Sequence, residues 1–125
     1  MVRNMLNSEE IRDIRSRRKF ERYELIAFLS VSELSDNRAF GSVVNINTEG
    51  VGIMCSAAVV KGQSYSLRIA LPNEIQGQDW FDVHAECMWA IEQRESGTVL
   101  GGFRFNGALV DAVEIIECLI RDYQR

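Results

Sequence analysis

Apolar and polar residues alternate along the middle of the chain with the period of two that is typical of β-strands. The clearest runs are residues 65–71 and residues 81–89. In the second run the apolar residues are predicted to share one face of a strand, and they are Phe81, Val83, Ala85, Cys87 and Trp89. Comparable runs at 23–32, 39–46, 51–54 and 98–105 are bounded by turn residues. This part of the chain is therefore predicted to form six or seven short strands joined by hairpins.

The two ends of the chain have a helical pattern instead. Ser8 precedes two glutamates, which is typical of a helix start and predicts a short helix over residues 8–16. Near the C-terminus the apolar residues recur three or four apart and form one stripe, made of Leu109, Ala112, Val113, Ile116, Leu119, Ile120 and Tyr123. We expect a mainly β fold, a small antiparallel six-stranded barrel with an amphipathic C-terminal helix over one open end. An N-terminal helix and arm (1–22) would precede this single domain (23–125).

The composition agrees with one globular domain. The chain has 125 residues, of which 46% are hydrophobic and 26% are charged, so it can bury a core without a metal or a disulfide. Its three cysteines, Cys55, Cys87 and Cys118, are far apart and form no Cys-x-x-Cys pair. Because the chain also has no long apolar segment and no signal-peptide pattern, we expect a cytoplasmic protein that is not embedded in a membrane.

Charge is distributed unevenly along the chain. The formal net charge is −4, yet residues 1–22 contain seven basic and four acidic side chains. The remaining residues contain seven basic and fourteen acidic side chains. A basic arm on an acidic body predicts a local anionic ligand, and it disfavours a surface that binds DNA or RNA broadly.

No pattern in the sequence indicates catalysis. The single histidine, His84, lies on the polar side of a predicted strand and has no nucleophile motif near it. Glycine-rich phosphate loops and metal-ligand spacings are also absent from the sequence. We therefore expect no catalytic residues, no metal site and no enzymatic activity.

Two short motifs carry the strongest functional signal. Arg18 and Arg22 are four residues apart just before the first predicted strand, and Arg17 precedes them directly. Residues 45–50, with the sequence Asn-Ile-Asn-Thr-Glu-Gly, end a later strand in a polar turn. In this order the motifs resemble the PilZ domain family, whose signatures are Arg-x-x-x-Arg and Asp/Asn-x-Ser-x-x-Gly. The later Trp89 strand, the Gly-Gly-Phe segment 101–103 and the final helix extend the resemblance over most of the chain.

The resemblance implies a bacterial receptor or adaptor for cyclic di-GMP that controls motility, biofilm formation or polysaccharide synthesis. It implies that the arginine-rich arm closes over the ligand on the barrel face and changes the surface presented to a downstream protein. The ligand-binding residues that follow from the resemblance are Arg17, Arg18, Arg22, Asn45, Asn47, Gly50 and Trp89.

The chemistry of these residues suits a ligand with two phosphates and two guanines. An arginine can donate two hydrogen bonds to guanine O6 and N7 or pair with a phosphate, although each arginine equally suits an exposed surface position. The Asn45 carbonyl can accept a guanine N–H, and the same residue type also caps turns. Gly50 indicates either a positive φ or a close approach of ligand to backbone. Trp89 can stack on a guanine, but its alternating neighbours equally predict a core position.

Asn47 departs from the family pattern, which usually has serine at this position, and the bulkier amide is expected to weaken the phosphate contact. This departure favours an alternative function, a PilZ-like protein-interaction module that binds no nucleotide. A barrel that binds single-stranded nucleic acid through its arm is a further alternative, disfavoured by the acidic body. Val110, Ile115 and Cys118 lie outside the main helical stripe and suggest a homodimer.

Overall fold

The computed structural model describes residues 23–25, 28–106 and 110–124. The predicted helix at residues 8–16 and the basic arm at residues 17–22 lie outside the described residues, as does Leu109 of the helical stripe. The described part of the chain contains no helix that is long and apolar enough to cross a membrane.

Within the described residues the chain forms seven strands followed by one helix. The strands are β1 (Tyr23–Glu24), β2 (Ser30–Glu33), β3 (Arg38–Ile46), β4 (Gly50–Cys55), β5 (Ser64–Ile75), β6 (Gln78–Gln93) and β7 (Thr98–Phe105), and the helix is α1 (Val110–Tyr123). All strand pairs are antiparallel, in the order β3–β2–β5–β6–β7–β4, and a further β3–β4 pairing closes the ring. β1 adds to β3 as an extra strand. The predicted six-stranded antiparallel barrel with a C-terminal helix is confirmed.

Several of the predicted strands have different bounds in the structure. The run 23–32 is not one strand, because β1 pairs with the end of β3 and β2 pairs with its beginning. The expected end of the fifth strand at Pro72 is also wrong. β5 continues to Ile75 and turns at Gln76 and Gly77, both of which have positive φ. Pro72 is tolerated because the β5–β6 register is irregular between Ala70 and Ile75, where no ladder donor is required from it.

The barrel interior is a continuous apolar core built from the inward residues of every long strand. At its centre three aromatic rings, Phe40, Tyr65 and Phe103, meet at centroid separations of 5.3 to 6.0 Å in tilted and edge-to-face arrangements. The core extends to α1 through Ala112, Ile116 and Leu119. The helix is therefore held to the barrel by its apolar face, as the helical stripe predicts.

The prediction that Ile115 lies outside the buried face of the helix is wrong. It is only 5% exposed and belongs to the core, so its side chain gives no support to self-association. The tip of the β5–β6 hairpin also contacts the helix. There Gln76 Nε2 donates to Glu114 Oε2 at 3.0 Å, and Asn73 donates to the Tyr123 hydroxyl, so the hairpin packs against α1.

The two barrel cysteines are buried thiols. Burial raises the pKa of Cys55 to about 12, with a smaller contribution from nearby Cys87, and burial also raises the pKa of Cys87. Cys118 on α1 is half-buried, and all three thiols are free. The barrel cysteines therefore act as small apolar core residues that stay protonated at neutral pH.

Phe103→Ala is expected to lower the free energy of unfolding by about 3–5 kcal/mol, because it removes a fully buried ring that two other rings contact. Phe28→Ala is the matched control, since the Phe28 side chain is 88% exposed and its loss should change stability by less than about 0.5 kcal/mol. Chemical denaturation measures both values. Equal effects of the two substitutions would contradict the assigned core.

Candidate functional site

Two β-bulges interrupt the strands on one side of the barrel. In the β3–β4 pair the register shifts between Val43 and Asn45, so Val44 is an extra residue in β3. In the β6–β7 pair it shifts between Cys87 and Trp89, so Met88 is an extra residue in β6. A bulge of this kind reverses the side to which the following side chain points.

Trp89 lies on the outer face because of the second bulge. The prediction that the apolar residues of 81–89 share one face is right for Phe81 to Cys87, which are buried. It is wrong for Trp89, whose side chain is 41% exposed and which pairs with Gly102 rather than Gly101. The alternation of inward-facing apolar residues therefore ends before Trp89, the aromatic residue predicted to stack on a ligand.

The two bulges flank a row of four residues across four neighbouring strands. Asn45 pairs with Gly52, Gly52 pairs with Gly102, and Gly102 pairs with Trp89. Because directly paired residues point to the same side of a sheet, this row lies on one outer face of the barrel. We call it the glycine row: Asn45, Gly52, Gly102 and Trp89.

The two glycines of the glycine row are covered by the side chains at its ends. A Cβ atom on Gly52 would lie 2.6 Å from Asn45 Oδ1, and one on Gly102 would overlap the indole ring of Trp89. The amide of Asn45 and the indole of Trp89 therefore rest directly on the backbone of the two middle strands. Any larger residue at either glycine would force these side chains away.

A charged row lies beside the glycine row, two residues along β4 and β7 and three along β6, where Met88 is the extra residue. Here Gly50 pairs with Arg104, and Arg104 pairs with Glu86. The Arg104 guanidinium is exposed and lies 3.8 Å from the Glu86 carboxylate. On the opposite side of the glycine row, Met54, Leu100 and Ile91 form a third, apolar row. The outer face thus changes from charged to apolar across the glycine row.

Asn47 holds the turn between β3 and β4. Its Oδ1 accepts hydrogen bonds from the backbone N–H groups of Glu49 at 2.7 Å and Gly50 at 2.9 Å, and the residue is only 5% exposed. The turn-capping role considered for Asn45 thus belongs to Asn47. Gly50 begins β4 with φ outside the left-handed region, so the expectation of a positive φ there is wrong. Contact of Asn47 and Gly50 with a ligand stays a prediction.

The register of β1 fixes where the basic arm joins the barrel. Tyr23 pairs with Ile46, and Glu24 pairs with Asn45, so β1 lies beside the Asn45 end of the glycine row. Arg17, Arg18 and Arg22 lie outside the described residues. Since consecutive Cα atoms are about 3.8 Å apart, the Cα of Arg22 is one such step from Tyr23. The described strand that follows the motif in the sequence therefore lies beside the β3–β4 turn, and contact of the three arginines with a ligand stays a prediction.

The remaining candidates for chemistry lie elsewhere on the outer face. His84 is exposed on β6, where its Nδ1 and the Ser66 hydroxyl are 2.8 Å apart. Within the described residues no group of three or more His, Cys, Asp and Glu side chains could hold a metal ion.

Sequence reasoning missed Gly52, Gly102, Arg104 and Glu86 as parts of this face. A glycine inside a strand pattern is a recognised sign of close backbone approach, and Gly52 and Gly102 both interrupt apolar strands. Arg104 and Glu86 carry no comparable signal, because charged residues on the outer face of a barrel are ordinary.

Gly102→Ala is expected to displace the Trp89 indole and to cost about 1–3 kcal/mol of stability through overpacking. Trp80→Phe leaves Trp89 as the single tryptophan, and in that background the fluorescence of the Gly102→Ala protein should shift to longer wavelength. In the reciprocal Trp89→Phe background, Gly102→Ala should leave the emission of Trp80 unchanged. An unchanged Trp89 emission would contradict the packing described for the glycine row.

Comparison with known proteins gives a family and a set of structures with this fold. A family model described as PilZ domain matches residues 16–122. The chain is similar to the inhibitor of motility MotI (DgrA) of Bacillus subtilis, with a TM-score of 0.66 and 17% identity, over 84% of this chain and 50% of MotI. It is also similar to the PilZ domain of Escherichia coli YcgR with c-di-GMP, with a TM-score of 0.60 and 20% identity, over 85% and 93% of the two chains.

A second structure of E. coli YcgR in complex with c-di-GMP has a TM-score of 0.61 and 17% identity, over 84% of this chain and 45% of that one. The chain thus spans about half the length of MotI and of this YcgR chain. No curated protein matches the sequence significantly. Because the family model covers most of the chain, from residue 16 to residue 122, the protein belongs to the PilZ domain family.

Proposed function

We propose that the protein is a cyclic di-GMP receptor whose arginine arm closes over a ligand bound on the glycine row. The observation that carries this proposal is the register of β1, β3, β4, β7 and β6. It aligns Asn45, two glycines and Trp89 on one outer face and joins the arm to the Asn45 end. The PilZ domain of E. coli YcgR, which shares the fold, was solved with c-di-GMP.

The glycine row suits a planar purine. Its two middle residues have no side chains, so the Asn45 amide and the Trp89 indole lie against the backbone, and a ligand meets these two groups. Trp89 keeps 41% of its surface exposed, and a guanine that stacks on this ring gains about 1–3 kcal/mol by analogy with nucleic-acid complexes. Asn45 supplies both an acceptor and donors for the polar edge of a base.

The arm supplies the charge that the phosphates require. Arg17, Arg18 and Arg22 give three guanidinium groups, each able to form charge-assisted hydrogen bonds with a phosphate or with a guanine. The body of the protein is acidic, so these arginines account for most of the attraction for an anion. Asn47 contributes less than a serine would, because its amide is bulkier and its two backbone hydrogen bonds through Oδ1 hold the side chain at the β3–β4 turn.

Ordering the arm is the main cost of binding in this mechanism. Fixing residues 17–22 costs about 1–2 kcal/mol for each residue, so several strong contacts to the ligand are needed to offset it. The ligand then shifts the population towards an arm-closed state, which presents a new surface to a downstream protein. Control of motility, biofilm formation or polysaccharide synthesis would act through that surface.

A PilZ-like interaction module that binds no nucleotide is the second candidate function. It is favoured by Asn47, which replaces the usual serine and is committed to the β3–β4 turn. It is also favoured by the Trp89 indole, which lies against Gly102. A nucleotide titration separates the two functions directly.

Arg18→Ala and Arg22→Ala are each expected to weaken cyclic di-GMP binding at least about tenfold, or about 1.4 kcal/mol, because each removes charge-assisted contacts. Arg121→Ala is the matched control, since Arg121 is exposed at the end of α1 and its loss removes the same charge. Isothermal titration calorimetry measures the three variants beside the unchanged protein.

The receptor function would be wrong if the unchanged protein gave no binding heat. The assigned role of the arm would be wrong if the Arg18 and Arg22 variants bound as tightly as the Arg121 variant.

A further inference from the structure

Two cross-strand ion pairs on the outer face of the barrel differ in their geometry. Arg68 on β5 donates to both carboxylate oxygens of Asp82 at 2.8 and 3.0 Å, and its guanidinium also lies 4.6 Å from the Trp80 ring. Arg104 on β7 meets Glu86 only at 3.8 Å, which is beyond hydrogen-bond distance. Within the described part of the chain, the Arg104 side chain has this one ion pair and no hydrogen bond.

The loose pair lies beside the glycine row. Arg104 is two residues from Gly102 on the same strand, so their Cα atoms are about 7 Å apart and both face outwards. Glu86 pairs with Arg104, and Trp89 pairs with Gly102. A base that stacks on Trp89 would therefore point one edge towards Arg104 and Glu86. The tight pair Arg68–Asp82 lies further from the glycine row, since Asp82 is four residues before Glu86 on β6 and the Ser66–His84 pair lies between them.

We propose that Arg104 and Glu86 read the edge of a guanine stacked on Trp89, an inference that rests on the proposed receptor function. The Arg104 guanidinium donates to guanine O6 and N7, and the Glu86 carboxylate accepts from guanine N–H groups. Guanine offers acceptors and donors side by side, and this matches a cation and an anion held a short distance apart. Adenine reverses the pattern, because it has an amine where guanine has O6.

A phosphate fits this pair less well than a guanine edge does. Arg104 would attract a phosphate, but the adjacent Glu86 carboxylate would repel it. In the proposed function the arginines of the arm already provide positive charge for the phosphates. Asn45 and Trp89 are three strand spacings apart, about 14 Å along the sheet, so the two ends of the row can serve different parts of one dinucleotide.

The two readings of Arg104 predict opposite effects of Glu86→Gln. If the pair reads a guanine edge, the loss of the carboxylate removes an acceptor of two N–H groups and weakens cyclic di-GMP binding about fivefold or more. If Arg104 holds a phosphate, loss of the neighbouring negative charge strengthens binding. Arg104→Gln weakens binding about tenfold and lowers the preference for cyclic di-GMP over cyclic di-AMP by a similar factor.

The experiment is a calorimetric titration of the full chain and its variants with cyclic di-GMP and cyclic di-AMP. Arg68→Gln and Asp82→Asn are the matched controls, because they change another cross-strand ion pair on the barrel and should alter each affinity less than about twofold. Thermal unfolding confirms that all four variants are folded.

Weaker cyclic di-GMP binding by both the Arg104 and the Glu86 variant, with reduced preference over cyclic di-AMP, supports the inference. Tighter binding by Glu86→Gln overturns it and assigns Arg104 to a phosphate. Unchanged binding by Arg104→Gln also overturns it but leaves the receptor function intact. No binding by the unchanged protein overturns both.

Discussion

Strand register is the constraint on which the candidate site depends. Each strand of the closed barrel buries alternate residues, so a residue that continues the inward-facing series can point outwards only if the alternation is interrupted. The extra residues Val44 and Met88 provide this interruption on β3 and on β6. They turn Asn45 and Trp89 outwards at opposite ends of one row, and the glycines between them let these two side chains rest on the backbone. The packing of the core is retained at both bulges, since Cys87 and Val43 remain buried beside them.

The division of charge between arm and barrel complements this geometry. The barrel face offers flat, largely uncharged surface at the glycine row, whereas the arm carries concentrated positive charge. Neither part alone suits a ligand that is both aromatic and doubly anionic. β1, which follows the arm in the sequence, lies at the Asn45 end of the row, and in the proposed mechanism the arm closes over the face from that end. Closure of the arm, rather than rearrangement of the barrel, is the change that a ligand would cause in the proposed mechanism.

The barrel and its helix follow from the sequence because burial imposes a period of two or of 3.6 residues over many positions. The two bulges cannot be predicted from the sequence in this way, because one inserted residue leaves the local composition unchanged. Trp89 was therefore expected equally in the core and at a ligand, and only the pairing of Trp89 with Gly102 separates the two. Asn47 shows a different limit. The sequence places an asparagine in a polar turn, but the choice between Asn45 and Asn47 as the turn-capping residue needs the hydrogen bonds to Glu49 and Gly50.

The most direct test of the glycine row is a titration of ¹⁵N-labelled protein with cyclic di-GMP, followed by NMR. The chain has two tryptophans, and both are partly exposed on the outer face, so their indole N–H signals provide a test and its control in one spectrum. We predict that the Trp89 indole and the backbone amides of Gly52 and Gly102 shift strongly, while the Trp80 indole changes little. Shifts centred on Trp80, with Trp89 and the two glycines unmoved, would contradict the assignment of this face.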